Sequence, residues 1–363
     1  MRKNITIIQL ILILSTAVLA QEENMDFEKY NPVSTLVVPE NILSESRFPF
    51  IDVHSHHWRM GTMDLKELIT EMDKMNMAVM VNLSGGNGDR LKEMIDNVHN
   101  NYPNKFIVFA NVDFNGIGEA GWTEKAVRQL EADVNNGARG LKIYKSLGFS
   151  VTDNKGNRVP VDDSRIDPIW SKCGELGIPV LIHSADPAPF WATHDEYNER
   201  WLELKQKPNR KRSDTNPAPW EQIIQEQHNV FKKHPGTNFI NAHLGWYGNN
   251  LSKLSELMDA MPNMYSEIGA VLAELGRQPR NASAFLIKYQ DRIMFGKDSW
   301  APDEYPFYFR VLETTDEYFD YYRKRHAFWK MYGLNLPDEV LKKLYYKNAI
   351  NIIPGIDKSL FPE

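Results

Sequence analysis

Ile51-Asp52-Val53-His54-Ser55-His56 decides how the rest of the chain is read. Side chains two apart on a strand point to the same face, so His54 and His56 project together at or near the end of a first strand, 50–56. Residues at helical spacing follow it, Leu65, Leu68, Ile69, Met72 and Met75, and then a second apolar run, 78–83, with Leu91, Met94, Ile95 and Val98 behind it. The alternation continues through 106–112, with Ala126, Leu130 and Val134 after it, and through 140–144, 179–183, 238–243, 264–267 and 292–295. Several of these runs are apolar without a break, which means that both faces are covered, as in a parallel sheet flanked by helices. Eight such units in one chain favour an α/β fold of the closed (β/α)8 TIM-barrel type over an open doubly wound sheet.

Two segments exceed ordinary loop length. The first, 146–163, is centred on Asn154-Lys155-Gly156-Asn157 and reads as a hairpin inserted after strand 4. The second, 186–219, follows strand 5 and holds Pro187, Pro189, Pro208 and Pro217. Both leave C-terminal strand ends, where barrel enzymes build their sites, so both are expected to act as lids. The basic run Lys207-Pro208-Asn209-Arg210-Lys211-Arg212 has Glu199, Glu203 and Asp214 around it and reads as a solvated loop. Ser84-Gly85-Gly86-Asn87-Gly88 lacks the Lys-Ser/Thr of a phosphate loop, so a plain turn is favoured over an anion-binding nest.

The chain has 363 residues, 42 Lys+Arg against 48 Asp+Glu, and 42% hydrophobic residues, the balance of a globular protein. A net charge of −6 and the absence of a long basic block give no electrostatic footprint for nucleic acid. With one cysteine, Cys173, no internal disulfide or Cys-x-x-Cys metal site can form, so any metal must sit on His, Asp, Glu or a modified Lys. Arg2 and Lys3 precede an apolar run that ends in Val18-Leu19-Ala20, the layout of a secretory signal peptide over 1–20. Export to the periplasm or the medium is expected. A stable membrane anchor is not, because the run falls short of the ~20 residues a spanning helix needs. Residues 21–46, polar and containing Pro32 and Pro39, read as a leader wrapping onto a barrel domain over 47–363.

His183 ends strand 5, His243 ends strand 6, and Asp298 follows strand 8 in Phe295-Gly296-Lys297-Asp298-Ser299. Four of the ten histidines and one Asp thus leave C-terminal strand ends, where random placement would scatter them. Neutral imidazoles are good ligands for Zn, Mn or Fe. His57 points away from the pair by strand alternation and is expected to support it or merely to pack.

The chain resembles the metal-dependent amidohydrolase superfamily, in the amidohydrolase-related branch that also includes ring-acid decarboxylases. The resemblance rests on residues 51–56, Gly137-Ala138-Arg139-Gly140-Leu141-Lys142, Val180-Leu181-Ile182-His183, Asn241-Ala242-His243-Leu244-Gly245, Phe295-Gly296-Lys297-Asp298 and Lys347-Asn348-Ala349. It implies that His54, His56, His183 and Asp298 ligate one divalent metal ion, Zn first and Mn or Fe as alternatives. His243 stands beside it as an acid/base or carbonyl-polarising group. A water acidified from ~15.7 toward ~7 would attack a lactone, ester or amide, with Asp298 moving its proton. Decarboxylation of a ring acid is the alternative, and a barrel that binds without turnover is the second.

Lys142 has two readings: carboxylated and bridging two metals, as in binuclear members, or an unmodified ammonium for a substrate carboxylate. The second is favoured. Glu267 ends strand 7 and either pairs with Lys142 or reaches substrate hydroxyls. Aromatic residues follow or end five strands, among them Trp58, Tyr144, Trp246 and Trp300, and suit a sugar-derived or aromatic small molecule as well as lid packing. Arg59, Lys145 and Lys297 add positive charge near the expected mouth and point to an acidic substrate. Self-association is left open.

Overall fold

The computed structural model describes residues 25–323 and 329–362. The barrel strands are β1 (Phe50–Ser55), β2 (Met77–Asn82), β3 (Phe106–Val108), β4 (Ala110–Asn111), β5 (Leu141–Ile143), β6 (Val180–Ile182), β7 (Phe239–Asn241), β8 (Met264–Glu267) and β9 (Ile293–Met294). Neighbours pair in parallel and in chain order on both sides of a break at Phe109. Hydrogen bonding runs through that break: Phe109 N–H donates to Asn82 O at 3.0 Å and Ala110 N–H to Gly140 O at 2.9 Å. β3 and β4 therefore fill one barrel position, and eight positions result. The ring closes where Val53 N–H donates to Phe295 O at 3.0 Å and Asp298 N–H to His54 O at 2.7 Å. This is the TIM barrel expected from the alternation.

Several strands, such as β3 and β6, are apolar without interruption because helices cover their outer faces. Ile51, Val53, Val81, Leu141, Val180, Ile182, Phe239 and Ile240 are all fully buried. α1 (Lys66–Lys74) and α2 (Gly88–Asn101) follow β1 and β2, and α2 buries Leu91, Met94 and Val98 at spacings of three and four. Each such side chain contributes about 1.5–3 kcal/mol of transfer free energy. α3 (Trp122–Asn135) and α4 (Asp167–Glu175) follow, and Cys173 of α4 is fully buried packing, as expected. Beyond β6 come α5 (Trp201–Gln206) and α6 (Trp220–Lys233), then α7 (Leu251–Ala260), α8 (Leu272–Gly276), α9 (Pro279–Lys288) and α10 (Tyr305–Glu313) around β7 to β9.

A small antiparallel pair, β10 (Phe319–Asp320) and β11 (Lys330–Met331), precedes α11 (Asp338–Lys342) and α12 (Asn348–Ile352). The Lys347-Asn348-Ala349 motif serves the fold, because the Asn348 side chain donates to Gln290 O and Ile293 O, both at 2.7 Å, and so fixes the start of β9.

Segment 146–163 turns back on itself, with Thr152 bridging Arg158 in antiparallel sense, and segment 186–219 carries α5 between single helical turns. The glycine run after β2 is a turn whose own groups are consumed: Gly86 N–H donates to Asn111 Oδ1 and Gly88 N–H to Asp133 Oδ1, both at 2.8 Å. Part of the leader is tied down, since Asn41 holds Asp316 through its backbone and side chain and Ser46 N–H reaches Met75 O. Residues 25–36 form a separate unit with a hydrogen-bonded turn at Asp26 to Tyr30. The signal-peptide expectation falls on 1–20, outside the described residues. Among the described residues, no helix is long and apolar enough to cross a membrane.

Candidate metal centre and its cavity

At the C-terminal mouth, His54 at the end of β1 and His56 just beyond it turn their Nε2 atoms to within 3.2 Å of each other, as the alternation required. Asp298 Oδ1 lies 3.4 Å from His54 Nε2 and 3.7 Å from His56 Nε2. Two donors each ~2.1 Å from a shared cation at tetrahedral angles stand roughly 3.4 Å apart, so these three atoms fit one divalent ion. Each imidazole is also anchored from behind. His54 Nδ1 meets Glu267 Oε1 at 2.9 Å, and His56 Nδ1 meets Ser84 Oγ at 2.8 Å, which leaves both Nε2 lone pairs for a ligand. Burial, with Lys142 adding to it, lowers His54 well below the ordinary histidine range and His56 to about 3. Both rings are neutral at pH 7, as ligation needs.

His183 and His243 sit beside this group. Burial first, then His243 and Lys142, lowers His183 well below the usual range. Its ring meets that of His243 edge-on at 4.5 Å, and the Nε2 atoms of both are buried without a hydrogen-bond partner among the described residues. Among the described residues, two groups of three donors lie within 4.8 Å of one another, His54 with His56 and Asp298, and His54 with His243 and Glu267, and His183 is in neither. In the second group His54 Nδ1 already contacts Glu267, so the first is the better cation site. His243 Nδ1 lies 2.8 Å from Gly269 O, which can only accept. A neutral His243 therefore has its proton on Nδ1 and offers Nε2 as a proton acceptor. In that form Nε2 can take a proton, and once it has done so it can donate one, as an acid/base role or hydrogen bonding to an acyl oxygen requires.

Glu267 does neither thing expected of it. Its side chain is fully buried, and its oxygens take His54 Nδ1, the His243 N–H at 2.7 Å and the Gly269 N–H. It is a positioning residue at the end of β8 that ties His54 of β1 to the backbone of His243 in the turn after β7. Gly296 makes room for it, because a Cβ there would collide with Glu267 Oε2.

Lys142 on β5 is buried with Nζ 3.4 Å from His54 Nε2, and burial lowers it to about 7 despite the opposing pull of Asp298 and Glu267. Asp298 is held below the ordinary carboxylate range: burial opposes this, and His54, His243, His56 and Lys142 outweigh it. Several of these residues occupy a rare backbone region. Ala185, His243, Leu244, Trp246, Ala270 and Asp298, six of the ten non-glycine residues with positive φ among the described residues, follow β6 to β9. Such conformations cost on the order of 1–3 kcal/mol each and cluster at functional sites.

A cavity of 580 Å³ opens above Asp298, His183 and His243 and is lined by Trp246, Phe190 and many charged side chains. Trp246 packs on His243 at 4.6 Å. Tyr144 is committed elsewhere: its OH donates to Leu83 O at 2.9 Å and contacts Ser84, so its ring braces His56. Arg59 is not brought to the cavity, because it lies exposed in the turn after β1; Arg90, which the sequence did not suggest, covers Trp58 instead. Trp300 packs between His57 and Tyr305 and does not line the cavity. The basic run is not a solvated loop: Lys207 and Arg210 line the cavity, and Arg212 grips Asp186 at 2.8 and 3.0 Å. Asp186, Glu203, Glu304 and Arg323 are lining residues that no local sequence signal marked.

The family model for amidohydrolases matches residues 51–354. The chain belongs to the amidohydrolase family. This amidohydrolase is similar in fold to a TIM-barrel protein from Bordetella bronchiseptica, with 15% identity and a TM-score of 0.52 over 84% of this chain and 97% of that one. It is also similar to a 2,6-dihydroxybenzoate decarboxylase from Rhizobium (14% identity, TM-score 0.53, 84% and 98%). A dihydroxybenzoic acid decarboxylase from Polaromonas sp. JS666, solved with bound manganese and an inhibitor, matches at 15% identity and a TM-score of 0.52 (84% and 96%). No curated protein matches the chain.

Proposed function

We propose that this amidohydrolase is a metal-dependent hydrolase that cleaves a lactone, ester or amide bond of a small acidic molecule. The observation that carries the reading is the convergence of His54 Nε2, His56 Nε2 and Asp298 Oδ1 at 3.2–3.7 Å beneath the cavity. His54, His56 and Asp298 would hold one divalent cation, with the unpartnered Nε2 of His183 as a further donor. Zinc is the first choice, and manganese, bound by the Polaromonas relative, is the runner-up. When bound, such a cation supplies positive charge that polarises an acyl oxygen and brings the acidity of water toward neutrality.

The chain's own groups do the rest. Asp298, ionised and 35% exposed at the cavity floor, accepts a proton from the attacking water. His243 Nε2, fixed as an acceptor by Gly269 O, takes and returns a proton on the leaving-group side. In balance, the water oxygen bonds to the acyl carbon, the acyl C–O or C–N bond breaks, and the leaving oxygen or nitrogen receives a proton. Lys145 and the cations of the cavity wall draw in a substrate carboxylate. Export of the chain to the periplasm or the medium is part of the proposal and is supported by the composition of residues 1–20.

The test is incubation with a panel of lactones, esters, amides and ring carboxylates, recording acid release and carbon dioxide. Acid release without carbon dioxide, lost in Asp298→Asn, supports hydrolysis. Carbon dioxide release assigns the chain to the decarboxylases, and binding without turnover makes it a binding barrel.

A further inference from the structure

The cavity above the metal centre has an unusual wall. Ligand pockets are mostly apolar, whereas of the sixteen described residues around this one only Pro187, Phe190, Trp246 and Ala270 are apolar and nine carry charged side chains. The charges follow a rule: three wall carboxylates each stand between two cations. Asp186 lies 2.5 Å from Lys145 and 2.8 Å from Arg212. Glu203 lies 2.5 Å from Arg210 and 3.2 Å from Arg200. Glu304 is bonded to Lys297 and lies 3.0 Å from Arg323.

Each carboxylate lines the cavity beside at least one lining cation, Lys145 for Asp186, Arg200 and Arg210 for Glu203, and Arg323 for Glu304, so a fixed anionic acceptor and fixed donors lie side by side, while Arg212 and the fully buried Lys297 hold Asp186 and Glu304 from behind the wall. A hydroxyl group donates one hydrogen bond and accepts two, so it can use both halves of a triad at once: its O–H to the carboxylate, its lone pairs to the ammonium or guanidinium. A second carboxylate in the ligand would meet the wall's own anions, and a flat hydrocarbon ring would leave buried charges desolvated and unpaired. The cation excess on Asp186 and on Glu304 still attracts a single negative charge. The Trp246 ring supplies one apolar face among the charges.

We infer that the cavity recognises a sugar-derived polyhydroxy acid, taken as its lactone or ester, with the three cation–carboxylate–cation triads reading its hydroxyl groups. The inference rests on the hydrolase reading only for which bond is cut. Recognition itself is measured on ligands that do not react.

Isothermal titration of the metal-replete full chain with gluconate, hexanoate and 2,6-dihydroxybenzoate tests it. Gluconate and hexanoate share carbon number and charge and differ in hydroxyls, and the third is a flat aromatic acid. Gluconate should bind at least about tenfold more tightly than either of the others. Glu203→Gln and Glu304→Gln should each weaken gluconate by about tenfold and leave hexanoate within about twofold, as a lost hydroxyl acceptor requires. Should Glu203→Gln fail to fold, the less buried Glu304→Gln carries the test. Equal binding of hexanoate, tightest binding of 2,6-dihydroxybenzoate, no binding of any of the three, or unchanged gluconate affinity in the folded variants overturns the inference. Lactone cleavage with a preference for the aromatic acid overturns it and leaves the hydrolase reading intact. Gluconate selectivity in a chain that releases only carbon dioxide does the reverse.

Discussion

The floor of the site and its wall use the same kinds of charged side chain but hold them differently. On the floor, His54 and His56 at the end of β1, Lys142 within β5 and Asp298 beyond β9 are placed by backbone register: the Asp298 N–H bond to His54 O is both barrel closure and site geometry. On the wall, Asp186, Glu203 and Glu304 lie in segments between strands, and their positions are set by the cations on either side of them. Reactive geometry is thus a property of the barrel, and selectivity a property of the connections, which can change without moving the metal centre.

The sharpest way to break this division is to change one residue on each side. Asp298→Asn should lower kcat by about 10²–10⁴-fold with binding of a product acid retained, since it removes a proton acceptor from the floor. Glu267→Gln should lower zinc affinity by about 10–100-fold in a chelator competition, because His54 Nδ1 loses its orienting carboxylate. Lys145→Ala, a wall change that leaves Asp186 paired with Arg212, should raise KM by about tenfold with kcat little altered.

A fourth prediction concerns acid. Burial lowers His57 and His228 to about 4, so between 6.5 and 4 the unfolded chain binds protons that the folded chain refuses. Stability from these groups is present at neutral pH and is lost as pH falls through that window. Asp52, raised by burial to about 7, works in the opposite sense, so the comparison is made against a variant. His228→Leu should lose less in thermal midpoint than the wild type on going from pH 6.5 to 4. The smallest effect is expected at Arg59, where substitution by Ala should leave kcat/KM within about twofold, because it lies exposed outside the cavity.

The floor is legible in the sequence because strand alternation and strand ends are local properties. His54 and His56 can be placed on one face from spacing alone. The arrangement around Glu267 is not legible, since a carboxylate's partners depend on which strands lie side by side, and β8 brings it to His54, 213 residues away. The tautomer of His243 likewise depends on Gly269 O, met through a left-handed turn that no propensity foretells. The basic run misleads for the same reason. Its near acidic neighbours suggest a solvated loop, yet Arg212 pairs with Asp186, 26 residues upstream.

The central claim is that distant strand ends hold one cation in common. Metal analysis of protein purified without chelators, run in parallel on wild type and His56→Ala, tests it most directly. Close to one zinc or manganese per wild-type chain is expected, with a large loss in the variant. A metal-free wild type, or a variant that keeps its full complement, would contradict it.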